Sequence, residues 1–158
     1  MRRANLLLLA GATLVTAIAL GQGPQRGNED MRTFHALLDH REEIKREIKQ
    51  LDNGVETLTE SDNPEVTKLI QLHLTQMEKR ILQQRPIHRR DPLFDEIFKN
   101  ADKITLKITN TEKGVKVVET SDDAYTVKLI KAHAEKVSLF VKNGRSEMHK
   151  DTPLPPKG

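Results

Sequence analysis

The order of polar and apolar positions along residues 92–143 predicts a short helix, a β-hairpin and a longer helix. Residues 103–110, KITLKITN, alternate strictly, which places isoleucine and leucine on one face of a strand and polar side chains on the other. The turn TEKG and a second apolar run, VKVVETS, follow directly, as is typical of a hairpin. A helix is predicted before this hairpin at 92–101, and another after it at about 123–141, where an Asn-Gly pair stops it.

The sequence of this predicted unit is repeated in the chain. Residues 34–81 align with residues 94–141 at a constant offset of sixty, without a gap, and eleven of the 48 positions are identical. Unrelated segments of ordinary composition would match at only about three positions. We therefore interpret the chain as an internal duplication. The identical pairs are Phe34/Phe94, Ile44/Ile104, Ile48/Ile108, Gly54/Gly114, Val55/Val115, Ser61/Ser121, Asp62/Asp122, Lys68/Lys128, Leu69/Leu129, Ile70/Ile130 and His73/His133.

The first copy on its own is ambiguous. EEIKREIKQL has apolar residues at helical spacing, but its aligned partner is the alternating strand, and LDNGVETLT carries an Asn-Gly hairpin signal. We therefore predict strands at 43–51 and 55–60. The predicted fold class is α+β: two tandem helix–β-hairpin–helix repeats form a pseudo-two-fold, antiparallel four-stranded sheet, with the long helices on one face.

Short acidic sequences precede both long helices. In SDNPE, Asp62 or Asn63 is expected to cap the helix that starts at Pro64, and in SDDAY the expected cap is Asp122 or Asp123. These side chains occur where the free amides of a first helical turn need acceptors, so we prefer caps to the alternative, a cation site.

The N-terminus has the pattern of a secretory signal peptide. Arg2 and Arg3 precede the apolar run 6–20, and small residues follow it. We assign residues 1–21 to a signal peptide cleaved near residues 18–22, which predicts a periplasmic or secreted protein. The run is shorter than the ~20 residues of a comfortable membrane span, so an uncleaved membrane anchor is the less favoured alternative. No membrane span is expected once the signal peptide is cleaved.

The remaining chain divides into five segments. We predict a flexible linker at 22–31, repeat unit 1 at 32–84, a connector at 85–91, repeat unit 2 at 92–143 and a flexible, Pro-rich tail at 144–158. The pattern leaves open whether the two units pack within one chain or exchange between two chains as a homodimer.

Composition excludes several classes of function. The 158-residue chain has a formal charge of +3, which falls to 24 basic against 23 acidic side chains without Arg2 and Arg3. Opposite charges alternate and aromatic residues are few, so no nucleic-acid partner is expected. The absence of cysteine excludes disulfides, thiolate metal sites and thiol redox chemistry. No sequence signature of an enzyme is present, and nothing indicates catalysis.

Two histidines carry the functional hypothesis. On a helical wheel, His73 and His133 fall near the centres of the apolar arcs of the two long helices, so both imidazoles point toward the interior. Each could be a core residue satisfied by a backbone carbonyl. Together they could instead bind a transition metal, or act as the axial ligands of a b-type haem held between the helices.

Met77 bears on the choice of ligand. It lies one turn after His73 on the same helix face, and a thioether beside two imidazoles favours copper among the metals, or a haem with a methionine ligand. The resulting hypothesis is an exported binding protein for a small ligand or metal ion, serving carriage, sensing or electron transfer. The alternative is a cofactor-free structural or interaction module that docks a partner in the cell envelope.

The other histidines are predicted to be peripheral. His35 and His40 are interpreted as surface residues because they lie on different helix faces and are not repeated in the second copy. His88 falls in the connector, which we interpret as a solvated linker. Met148 and His149 form a soft donor pair on the predicted tail.

Overall fold

The computed structural model describes residues 24–157, with side chains from residue 29 onward. The described part contains four α-helices and four β-strands, which confirms the α+β class. The helices are α1 (Pro24–Asp39), α2 (Pro64–Leu82), α3 (Pro92–Lys99) and α4 (Ala124–Asn143), and the strands are β1 (Lys45–Leu51), β2 (Gly54–Glu60), β3 (Thr105–Asn110) and β4 (Gly114–Thr120). Short 3₁₀-helices occur at Arg41–Glu43, Ala101–Lys103 and Gly144–His149.

The four strands form one antiparallel sheet in the order β1-β2-β4-β3. Within each hairpin the two strands pair with each other, β1 with β2 and β3 with β4. The inner strands β2 and β4 pair with each other and join the two hairpins. In that central ladder Gly54 lies opposite Thr120, and Glu60 lies opposite Gly114. The chain therefore joins two hairpins through their second strands and leaves β1 and β3 at the edges.

The two long helices cover the same face of the sheet. Val66 and Ile70 of α2 pack in a cluster with Val115 and Val117 of β4. On the other half, Ile130 and Ala134 of α4 pack on Val55 of β2. Val117 lies opposite Thr57, two positions from Val55, so these valines share one face of the pleated sheet. The opposite face carries mainly polar side chains, among them Lys45, Glu47, Lys49, Thr105, Lys107 and Lys116.

Two glycines permit close approach of backbones at the ends of the central ladder. A Cβ atom added at Gly54 would lie 1.9 Å from the carbonyl oxygen of Glu119, and one added at Gly114 would lie 2.0 Å from that of Thr59. Both contacts are with backbone, which cannot swing aside. Only glycine fits at either position without displacing a strand.

The predicted caps are confirmed at both long helices. The side chain of Asn63 accepts a hydrogen bond from the amide of Glu65, and that of Asp123 accepts one from the amide of Thr126. These bonds satisfy amides that the first turn of a helix leaves unpaired. The acidic stretches therefore act in helix capping.

A buried ion pair fixes α1 against α2. The Arg80 guanidinium donates to Asp30 over 2.6 Å, and only 9% and 15% of the two side chains is exposed. Helix α1 thus begins within residues 22–31, which the sequence assigns to a flexible linker. The predicted signal peptide, residues 1–21, lies outside the described residues.

Hydrogen bonds and ion pairs hold the C-terminal segment against α4. Buried Lys136 of α4 donates to the Glu147 carboxylate and to the Lys150 carbonyl oxygen, both over 3.0 Å. Hydrogen bonds from Lys150, Asn143 and Lys136 lower the pKa of Glu147 to about 2. Asp91, which caps α3 through the amide of Leu93, completes the cluster 3.9 Å from the Lys136 ammonium.

Beyond this cluster the chain runs extended along the helices. Thr152 donates to Asp91 over 2.7 Å, and Lys128 donates to the carbonyl oxygen of Pro156. The Lys157 ammonium lies 5.2 Å from the centre of the Tyr125 ring. The sequence predicts a flexible tail here, and the structure instead has a 3₁₀-helix followed by an anchored strand-like segment. No helix within residues 24–157 is long and apolar enough to cross a membrane.

Candidate functional site

An apolar cavity of about 210 Å³ lies between the sheet and the helices. Its floor is the helix-facing side of the sheet, including Thr57, Val115 and Val117, and its walls come from α1, α2, α3, α4 and the connector. Most of its lining residues are apolar, and the polar ones are three histidines, two arginines, two glutamates and two threonines. An apolar cleft into which polar side chains converge is typical of small-molecule sites.

The two predicted histidines and Met77 all line this one cavity. The three residues that the sequence selected therefore border the same cavity. The rings of Phe34, Phe94 and Phe140 lie among the imidazoles and connect them through ring contacts. Phe34 stacks on His73 at 5.8 Å between ring centroids, and Phe94 meets His133 edge-on at 5.4 Å.

His73 is held as a neutral imidazole. Burial lowers its pKa to about 4, which a nearby Asp30 opposes and a nearby His133 reinforces. Its Nδ1 atom is enclosed and has no hydrogen-bond partner among the described residues. The side chain retains some accessible surface, and because it lines the cavity we attribute that surface to the cavity wall. A neutral ring with free hydrogen-bonding capacity can accept a proton donor or a metal ion.

His133 has a different environment. Its Nδ1 atom lies 3.8 Å from the Glu119 carboxylate, which is 15% exposed, and the imidazole itself is 27% exposed. A carboxylate at this position can orient the ring. The two histidines are therefore unequal: one is enclosed and neutral, and the other has an acidic neighbour.

His88 is a member of the site that the sequence interpretation missed. We predicted that it belongs to a solvated linker, but it lines the cavity and contacts Phe94 and Phe140 edge-on at 5.1 and 6.0 Å. Burial lowers its pKa, partly offset by Asp91. Its φ of 58° lies in the left-handed region, which a non-glycine residue occupies at some cost.

Arg46 is the second member that the sequence interpretation missed. It lies on the helix-facing side of β1, lines the cavity, and donates from Nη1 to the Thr59 hydroxyl over 2.6 Å. Its Nε atom is enclosed without a partner, and no carboxylate among the described residues lies within 4.0 Å of the guanidinium. Burial lowers its pKa, and the charges of Glu119 and Glu135 counteract that effect.

The remaining sequence candidates lie away from the cavity. His40 is exposed and bonds Glu43 over 2.7 Å, and His35 is partly buried in α1. Met148 and His149 lie at the end of the last 3₁₀-helix, where His149 is exposed. Across residues 29–157, no group of three or more histidine, aspartate and glutamate side chains is arranged to hold a metal ion.

Comparison with known proteins assigns no relatives. No protein-family model, no curated protein and no solved structure matches this chain. The cavity and its residues are therefore the only indications of function that the described part of the chain offers.

Proposed function

We propose that this is an exported binding protein that takes a small, mainly apolar ligand into the cavity between sheet and helices. The observation that carries the proposal is the cavity itself, an apolar cleft lined by side chains of the sheet and of all four α-helices. Export is inferred from the N-terminal sequence, and carriage or sensing is the role that we propose.

An internal duplication, which we propose from the alignment of residues 34–81 with 94–141, would explain how such a site arose. We propose that the two units are related by a pseudo-two-fold axis between β2 and β4. In support, the pairing Gly54–Thr120 becomes Gly114–Glu60 when each residue is shifted by sixty, and Phe34–His73 becomes Phe94–His133. A cavity at such an axis receives equivalent side chains from both units.

The binding proposal predicts that a small apolar probe stabilises the protein. Toluene at 100 times its dissociation constant should raise the free energy of unfolding by about 2.7 kcal/mol. Val137→Phe should abolish this effect, because Val137 lines the cavity and the larger ring would fill it. Thermal and urea unfolding with and without toluene measure both changes.

A matched control lies two residues along the same helix. Leu139 is 40% exposed and does not line the cavity, so Leu139→Phe should leave the toluene effect intact. If toluene stabilises neither the wild type nor the control, the proposal fails and a cofactor-free interaction module becomes the preferred function.

Copper is the second candidate ligand. His73, His133 and Met77 reach the same cavity, and His73 is already in the neutral form that binds metals. A b-type haem fits less well, because about 210 Å³ is below the ~300–1,000 Å³ usual for larger ligands.

The copper proposal predicts loss of bound metal when both imidazoles are replaced. His73→Gln/His133→Gln should reduce copper retained after dialysis to background, whereas His40→Gln, at an exposed histidine, should not. Protons should compete at His73 only as pH falls toward its pKa of about 4. Metal analysis and electron paramagnetic resonance from pH 7 to 4 test this, and equal retention by all three proteins would exclude the site.

A further inference from the structure

We propose that the ligand of this cavity is a small organic acid, with its apolar body among the phenylalanines and its carboxylate on Arg46 and Thr59. This inference rests on the proposed binding function and specifies its ligand. It comes from a feature that a site for hydrocarbons alone would not need: a cationic side chain on the apolar floor.

Arg46 occupies a sheet position at which a charged side chain is not required. It pairs with Thr59 of β2, and both residues face the helices and line the cavity. The corresponding position of the second unit, sixty residues on, is Leu106, which also lines the cavity. Apolar packing is therefore compatible with this sheet position, and the charge on β1 is not dictated by the fold.

The guanidinium of Arg46 is only partly paired by hydrogen bonds. Arginine offers five N–H donors in a planar fork that matches a carboxylate. Within the described residues, Nη1 bonds Thr59 and Nε is enclosed without an acceptor. Arg41, the other arginine of the lining, already pairs with Glu42 over 2.9 Å. Arg46 is only partly exposed. A cation withdrawn from water without an ion partner is costly, and an anionic ligand on its Nη groups would reduce that cost.

The carboxylates nearest to Arg46 do not pair with it. Glu119 and Glu135 are near enough to influence Arg46, but neither forms an ion pair with it within 4.0 Å. Glu119 instead lies 3.8 Å from Nδ1 of His133. The Arg46 guanidinium therefore has no ion partner among the described residues, and a ligand carboxylate can take that place.

The test compares an acid and its amide of the same shape. Hexanoate should bind the full protein about ten- to one-hundredfold more tightly than hexanamide, which is the range of a charge-assisted hydrogen bond converted to affinity. Arg46→Leu, which copies the residue of the second unit, should remove this preference, with a larger loss of affinity for hexanoate than for hexanamide. Arg46→Lys should restore part of it. Calorimetry and amide chemical shifts in NMR titrations measure the affinities.

Arg41→Leu is the matched control, because it removes a cavity arginine that already has a carboxylate partner. It should change hexanoate affinity by less than about threefold, as for an exposed ion pair. The acid assignment is overturned if hexanamide binds the wild type as tightly as hexanoate, or if the preference survives Arg46→Leu. Either result leaves the apolar site standing where toluene still stabilises the protein, whereas absence of toluene binding removes the site itself.

Discussion

Replacement of Lys136 by methionine is expected to lower the free energy of unfolding by about 3–5 kcal/mol, the cost of breaking a buried ion pair. The ammonium is 2% exposed and is the shared donor for Glu147, the Lys150 carbonyl and, at longer range, Asp91. Methionine preserves most of the side-chain volume, so the loss reports charge and hydrogen bonding. The carboxylate of Asp91, itself 2% exposed, would remain in the interior without a cation.

Urea denaturation of Lys136→Met beside Lys142→Met provides the comparison. Lys142 lies on the same helix but is exposed, so its replacement should change stability by no more than about 0.5 kcal/mol. The cluster also fastens the 3₁₀-helix Gly144–His149, so proteolysis near residue 150 should accelerate in Lys136→Met alone. Equal stability of the two variants would show that the cluster contributes nothing to folding.

Alanine at Gly54 or Gly114 is expected to cost about 3 kcal/mol or more, at the upper end of overpacking effects. The added methyl carbon would lie about 2 Å from a carbonyl oxygen of the adjoining central strand. Because that oxygen belongs to the backbone, relief requires separation of β2 from β4 at one end of their ladder. The two substitutions should have similar effects, since each glycine meets the partner strand in the same way.

Lys116→Ala is the control for the glycine variants. Lys116 lies two positions from Gly114 on β4, is exposed, and forms an ion pair with Glu56 that is worth little in water. Its replacement should leave unfolding nearly unchanged. A Gly114→Ala protein as stable as Lys116→Ala would mean that the strands do not approach as closely as the structure has them.

The α+β class and the hairpins were predictable because strict alternation is visible in a sequence. In the second unit Ile104, Leu106 and Ile108 define a strand face directly, whereas the first unit has helical spacing and needed its aligned partner. The order of the strands was not predictable, because the pairing of β2 with β4 depends on contacts between residues far apart in the chain.

Part of the site was also within reach of the sequence. The helical wheel placed His73 and His133 toward the interior, and both line the cavity. Arg46 had a usable signal, since it alternates with Ile44 and Ile48 and must share their strand face. His88 had no such signal in the sequence. Its polar neighbours indicate a linker, and no sequence pattern predicts that its backbone adopts a positive φ and its ring lines the cavity.

The central β2–β4 ladder has a consequence for the order of folding events. Each hairpin can form from neighbours in sequence, but the ladder between them must first close a chain segment that runs from Glu60 to Gly114. Such long-range closure carries an entropic cost that local pairing avoids, and it slows the final step of assembly. As long as β1 and β2 have formed without β4 and α4, β2 is an open sheet edge and Val55 lacks the cover that Ile130 and Ala134 provide. The nascent protein is then most prone to aggregation, and arrival of β4 ends that exposure.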